Sequence, residues 1–308
     1  MALRGLTALV LLAALSGTAP ESAADARPLT RDLGVQVTHA ATHEEPGGVT
    51  ITKVVTIVVE NHSLEQMRTS MPYLHQLATT YAYAVNYTAV RHPSLPNYLA
   101  IASGSTHGVT DDGDPSEHPL RGATVFDQAL NRGKTATIYA DAMTTNCQMT
   151  PAYPYAVKHN PWAYFVAGRA SCRKHDVPLA RLQPDIEDGT LPNAGMIIPD
   201  LVHDAHDADL GTADAWIKSQ VQRIQAGPDW ESGHLAIVIT ADEDDRTSGN
   251  KVLTVVASRD QDRRVVTTAL THYSLTRLYE SVLGVRYLGG AARAPSMSAA
   301  FGIRTIAS

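Results

Sequence analysis

At 308 residues with 44% apolar content, the chain can bury one large α/β core or two small ones. Its formal charge of −6 comes without a basic stripe, which argues against nucleic acid as a partner. Residues 1–26 read as a secretory signal: Arg4 is the positive start, Leu6 to Leu15 the apolar run, and Ala24-Asp25-Ala26 an A-x-A cleavage site. The run is too short to span a bilayer, so an uncleaved anchor is the lesser alternative, and no later segment is long enough to be a transmembrane helix. Export would place Cys147 and Cys172 in an oxidising compartment, where each has the other as its partner. A two-thiol metal site is the alternative, with no C-x-x-C spacing behind it.

Residues 27–48 are polar and irregular, a leader strand or a loose arm. Lys53 to Val59 is a β-branched apolar run that reads as a strand buried on both faces, ending at Glu60-Asn61. Ser63 with Gln66 forms a capping-box pattern for a helix to about Tyr83. Between Arg91 and Gly104 a polar loop feeds Ser94. Ser94 fits an N-cap, Pro96 fits a first helical turn and Gly104 a stop. This predicts a helix whose positive end, with its free N–H groups, lies beside a hydroxyl.

The alternation continues with a helix at 123–131, a strand at 135–140 ending in Asp141, and a strand at 194–198 ending in Pro199-Asp200. A helix at 212–225 precedes the strong strand 235–240, which ends in Asp242-Glu243-Asp244-Asp245. A strand at 252–257 and a helix at 273–283 complete it, with Gly133, Gly227 and Gly284 as stops. The pattern predicts an α/β fold: a mostly parallel central sheet with helices on both faces. Residues 143–192 break the rhythm with prolines, aromatics and both cysteines. They read as a loop-rich insertion over the sheet's carboxyl edge, within a single domain spanning 27–308.

In such sheets ligands sit beyond the carboxyl ends of the strands. Glu60-Asn61 and Asp242-Glu243 end the two best strands there. Together with Ser94 they make an oxygen-rich set suited to one divalent cation, which would lower the pKa of the serine hydroxyl. Solvated acidic turns and a plain helix cap are the alternatives. Thirteen histidines are many for this length. Among them His206 and His272 follow strand ends and suit proton transfer to a leaving group.

Taken together, Glu60-Asn61-His62-Ser63, His92-Pro93-Ser94-Leu95-Pro96-Asn97-Tyr98, Ser103-Gly104-Ser105-Thr106, His159-Asn160-Pro161 between the two cysteines, the block from Pro199 to Asp207, Thr240 to Asp244, and Thr271-His272-Tyr273-Ser274-Leu275 resemble the bacterial phosphoesterase family. That family holds secreted acid phosphatases and phospholipases C, within the alkaline phosphatase superfamily. The resemblance runs from about Val54 to Phe301 and implies an alkaline-phosphatase-like core. It implies that Glu60, Asn61, Asp242 and Glu243 bind one metal, which Ser94 also faces as nucleophile. It further implies that Asn97 holds a phosphate oxygen and that His159, His206, His272 and Asp204 line the phosphate or leaving-group side. Ala241 stands where the family carries a bulky aromatic, and the spacing of the histidine-aspartate block departs from that of two-metal relatives.

The expected activity is hydrolysis of phosphomonoesters through a phosphoserine. A phosphodiesterase or phospholipase C is second, with only three Trp and three Phe to build an aromatic trough for lipid or choline. A secreted metal- or phosphate-binding protein without turnover is the reading from another class. A serine esterase lacks its G-x-S-x-G elbow. The sequence carries no signal for oligomeric state.

Overall fold

The computed structural model describes residues 48–307. The expected signal at 1–26 and the expected arm up to residue 47 lie outside them. An eight-stranded sheet forms the centre. In chain order its strands are β1 (Lys53–Val59), β2 (Ala82–Ala84), β3 (Ala136–Ala140), β4 (Asp176–Pro178), β5 (Ala194–Ile198), β6 (Leu235–Ala241), β7 (Thr254–Ser258) and β8 (Arg264–Val266). Across the sheet the order is β8-β2-β7-β6-β1-β5-β3-β4. All pairings are parallel except those of β7, which runs antiparallel to β2 and β6.

β1 and β6 lie at the middle because they are apolar on both faces, and every residue of each except Lys53 is buried. Their register runs from Lys53 opposite Leu235 to Val59 opposite Ala241. The two strands therefore run out at the same level, and the next residues, Glu60 and Asp242, emerge side by side. Asp242 N extends the ladder by donating to Val59 O at 2.9 Å.

The helix expected from Ser63 to Tyr83 is two helices, α1 (Leu64–Ser70) and α2 (Pro72–Thr80), followed by β2. The Ser63–Gln66 capping box forms, with Ser63 N donating to Gln66 Oε1 at 2.8 Å. Pro72 has no N–H to continue α1 and opens α2 instead. The Asp214 carboxylate accepts the next two amides, Tyr73 N and Leu74 N, both at 2.9 Å. α3 (Ser94–Ser103) is buried along its whole length, as its apolar sequence demands, and ends at Gly104 with φ +68. It packs on α4 (His272–Leu283), where Thr276 Oγ1 donates to Ala100 O at 2.6 Å. Gly227 is not the left-handed stop expected; the long helix Leu210–Gln225 ends on Ala226, and Gly227, at φ −92, starts the next turn.

Residues 143–192 do more than cover the sheet. They contribute β4 as its edge strand, three 3₁₀ turns, Val157–His159, Pro161–Tyr164 and Leu179–Arg181, and two short helices, Arg169–His175 and Leu182–Glu187. Cys147 and Cys172 form a disulfide. Behind it Asp176 is fully buried, with Asn160 Nδ2 donating to Oδ2 at 2.8 Å and Oδ1 unpartnered. Burial pushes its carboxyl up to about 8. A carboxyl raised by folding stabilises the native state while protonated. That contribution is full below the ordinary carboxyl range and is lost as pH rises through about 8. Asp176→Asn is expected to raise the Tm by about 3 °C or more at alkaline pH and to change little at acidic pH. Melting curves of both proteins across the pH range check this; parallel curves would contradict it.

Candidate active site

The carboxyl ends of β1 and β6 deliver two acidic turns to one place. Asn61 has φ +56, a left-handed conformation that Asn adopts more readily than most residues. The turn aims its N–H at Asp242 Oδ1, 3.1 Å away. Glu243 N donates to the same oxygen at 2.7 Å. One carboxylate oxygen of Asp242 thus ties the two strand ends together. The other, Oδ2, is buried without a hydrogen-bond partner.

Ser94 is not the N-cap that its position suggested. Pro93 is the cap, and Ser94 is the first helical residue. Its side chain is therefore free of backbone duty, and Oγ donates to Glu60 Oε1 at 2.8 Å across the buried interior. The same Glu60 oxygen accepts from Asn61 Nδ2 at 3.1 Å and from Lys158 Nζ at 2.9 Å. His159 Nε2 stands 2.8 Å from Glu60 Oε2, and its Nδ1 stands 3.2 Å from Asp204 Oδ2. On the other side, Asn97 Nδ2 donates to Glu243 Oε2 at 3.0 Å, and His92 lies 3.0 Å from Glu243 and 3.2 Å from Asp244.

Electrostatics follow from this crowding. Glu60, Asp204, Asp242, Glu243 and Asp244 are all buried. Burial alone would raise Glu60, but His159, Lys158 and His206 outweigh it and hold the carboxyl well below the ordinary range. Burial would likewise lower His159, yet Glu60 and Asp204 push it up to about 10. Burial, with Asp112 and Glu60, pushes Glu243 up to about 8. Burial plus Glu60 and Glu243 holds Asp242 well above the carboxylate range. The protein groups alone leave a surplus of negative charge when ionised. A divalent cation fits this set: it would take the unpartnered Asp242 oxygen and offset the surplus. Glu60, His159 and Asp204 also place ligand-type atoms within 4.8 Å of one another, a second grouping that shares Glu60 with the first.

Ser94, Glu60, Asn61, Asp242, Glu243, Asn97, His159 and Asp204 converge on this place. Two histidines do less. His206 Nε2 lies 3.8 Å from Glu60 Oε1 and its ring is over a third exposed, at the rim. His272 is fully buried, with Nε2 donating to Asp242 O at 2.6 Å and Nδ1 accepting from Tyr87 Oη at 3.1 Å. Burial pushes it down to about 4. With both nitrogens committed and no proton to give at neutral pH, His272 fixes the end of β6 rather than serving a leaving group. Asn97 is also fully used, since Oδ1 accepts from Val90 N and Arg91 N at 3.0 Å each. Its amide shapes the turn before Ser94 instead of pointing at open space. Sequence reasoning passed over Lys158, Asp112 and the site role of His92. Adjacency was the available signal: Lys158 precedes His159, and His92 lies two residues before Ser94.

This fold is shared by solved structures, among them a member of the alkaline phosphatase superfamily. A superfamily protein from Vibrio parahaemolyticus matches with a TM-score of 0.54 over 78% of this chain and 68% of that one, at 11% identity. The lipoteichoic acid synthase LtaP from Listeria monocytogenes matches with a TM-score of 0.53 over 80% of this chain and 77% of that one, at 9% identity. Identities this low speak to the fold alone. The chain belongs to the Phosphoesterase family, whose pattern matches residues 61–285. It is 28% identical over 260 residues to the phosphatidylinositol-3-phosphatase of Mycobacterium tuberculosis, covering 82% of this chain and 84% of that protein. It is 26% identical over 255 residues to the phosphate-repressible acid phosphatase of Penicillium chrysogenum, covering 79% of this chain but 61% of that longer protein. The family and these relatives make the chain a phosphoric ester hydrolase.

Proposed function

We propose that this chain is an exported, metal-dependent phosphomonoesterase that works through a phosphoserine at Ser94. The observation that carries the reading is the 2.8 Å contact from Ser94 Oγ to Glu60 Oε1 in a buried carboxylate cluster. Glu60, Asn61, Asp242 and Glu243, with Ser94, would hold one divalent cation. When bound, that cation supplies a lower serine pKa and charge compensation.

The residues of the chain do the rest. Glu60 Oε1, which already accepts the Ser94 hydroxyl proton, takes it as Ser94 Oγ attacks phosphorus in line; the new Oγ–P bond forms as the ester P–O bond breaks. His206, exposed at the rim, gives its proton to the departing alkoxide. Water, giving a proton to the now neutral His206, then attacks the phosphoserine; the Oγ–P bond breaks, inorganic phosphate leaves and Ser94 Oγ recovers its proton from Glu60. Asn97, His272 and Asp204 hold the loop before Ser94, the end of β6 and His159 in place.

Export is supported by the signal-like residues 1–26 and by the Cys147–Cys172 disulfide. Among the described residues, no helix is long and apolar enough to cross a membrane. Monoesters are favoured over diesters because Lys158 and His159 set positive charge beside Ser94 and Glu60, and a monoester brings the extra negative charge they suit. The names of both relatives, a phosphatidylinositol-3-phosphatase and an acid phosphatase, point the same way. The kcat/KM for p-nitrophenyl phosphate is expected to exceed that for bis(p-nitrophenyl) phosphate and for p-nitrophenyl phosphorylcholine by about 100-fold, on the scale of one charge-assisted contact in a water-poor site. A larger value for either diester would move the assignment to a phosphodiesterase or phospholipase C. Cation binding with no turnover of any ester would support the silent binding protein.

A further inference from the structure

Lys158 has a place that an ordinary surface ion pair would not explain. It sits in the short 3₁₀ turn Val157–His159 of the insertion, one residue before His159. The turn sets two cationic side chains on the two oxygens of one carboxylate: Lys158 on Glu60 Oε1 at 2.9 Å and His159 on Oε2 at 2.8 Å. His159 is shared between Glu60 and Asp204, and Lys158 adds a second cation on the Ser94 side of Glu60. Lys158 Nζ also lies 3.5 Å from Ser94 Oγ and 3.5 Å from Asp112 Oδ2. Its side chain is only 19% exposed. An ammonium has three donors and no acceptor, and two of these three contacts are long enough to be exchanged for a better acceptor. Asp112 is anchored from the other side, since its Oδ1 accepts from Leu95 N at the start of α3 at 2.9 Å. The carboxylate of Asp112 therefore bridges Lys158 and the N-terminus of α3.

We propose that Lys158 is a catalytic residue: its ammonium leaves Asp112 to bind a non-bridging oxygen of the phosphoryl group as Ser94 attacks, and this makes the site selective for doubly charged monoesters. The proposal rests on the reading of Ser94 as nucleophile and goes beyond it. A phosphoryl group that reaches Ser94 meets the like charge of Glu60, Asp242 and Glu243. One divalent cation offsets part of it, and a fixed positive charge on the Ser94 side offsets more for a dianion than for a diester monoanion. Asp112 takes the place of that anion when no substrate is present.

The test compares Lys158→Met, Lys158→Gln, Lys158→Arg and Asp112→Asn on p-nitrophenyl phosphate and bis(p-nitrophenyl) phosphate. The two neutral variants are expected to lose about 100-fold in kcat/KM on the monoester and about 5-fold or less on the diester. Lys158→Arg should keep most of the monoester preference. Asp112→Asn retains an oxygen for Leu95 N and removes the competing charge, so its KM for the monoester should fall several-fold. Wild-type melting temperatures and unweakened binding of Mn²⁺ alone by calorimetry in the neutral variants would separate this role from support of the fold or the cation site. Equal losses on both substrates, or no loss, in whichever neutral variant folds would overturn the proposal. So would a rise in monoester KM for Asp112→Asn. The underlying reading fails differently: if Ser94→Ala retained turnover, the nucleophile would be wrong whatever Lys158 did.

Discussion

Ser94→Ala is expected to lower kcat for p-nitrophenyl phosphate by about 10⁴-fold or more, the scale seen when a serine nucleophile is removed, while the fold persists. The fold should persist because the Ser94 side chain does no structural work in the helix. Pro93 is the cap, and the Ser94 Oγ has left the backbone for Glu60. Without that hydrogen bond, Glu60 Oε1 keeps Asn61 Nδ2 and Lys158 Nζ as donors, so no buried charge is stranded. Steady-state kinetics with a melting curve check both halves. Turnover within tenfold of wild type would show that another group attacks phosphorus, and a collapsed melting curve would show that the hydroxyl is structural.

Asp242→Asn carries the second large effect. The Oδ1 atom can remain, so the amides of Asn61 and Glu243 keep their acceptor and the paired strand ends should stay in register. What is lost is the charge and the unpartnered Oδ2. Affinity for Mn²⁺ or Zn²⁺ is expected to fall by about 100-fold or more, the upper range for disturbing a metal site, and activity with it. Stability should move the opposite way. In metal-stripped protein, burial together with Glu60 and Glu243 raises the Asp242 carboxyl. Its contribution to stability is therefore present at acidic pH and lost as pH rises towards that raised value. At neutral pH the stripped wild type should melt below the stripped variant. Adding the divalent ion should raise the wild-type Tm and leave the variant nearly unmoved. A chelated wild-type enzyme with full activity would contradict the metal assignment.

Much of this was legible in the residues. Apart from Lys53, the strands Lys53–Val59, Ala194–Ile198 and Leu235–Ala241 are β-branched or apolar throughout, and that composition reads as a doubly covered parallel strand. Their polar endings then point to the carboxyl edge. What escaped has physical reasons. β2 is three residues long and borrows its stability from β7 and β8, so no local pattern announces it. The break at Met71 is settled by Pro72 and by the distant Asp214 carboxylate, which only the fold brings near. Lys158 and His159 reach Glu60 from 98 and 99 positions away through 3₁₀ turns that lack periodicity. His272 shows the converse: a histidine after a strand end resembles a proton donor until the fold supplies partners for both ring nitrogens.

The central claim is that a serine at the start of α3, held by the carboxylate of β1, becomes phosphorylated during turnover. Acid quenching of the metal-loaded enzyme during turnover of p-nitrophenyl phosphate, followed by peptide mass spectrometry, tests it directly. A phosphate on Ser94 that is absent from enzyme quenched without substrate is the expected result. An unmodified Ser94 under conditions of rapid product release, with phosphate on another residue such as His206, would contradict it.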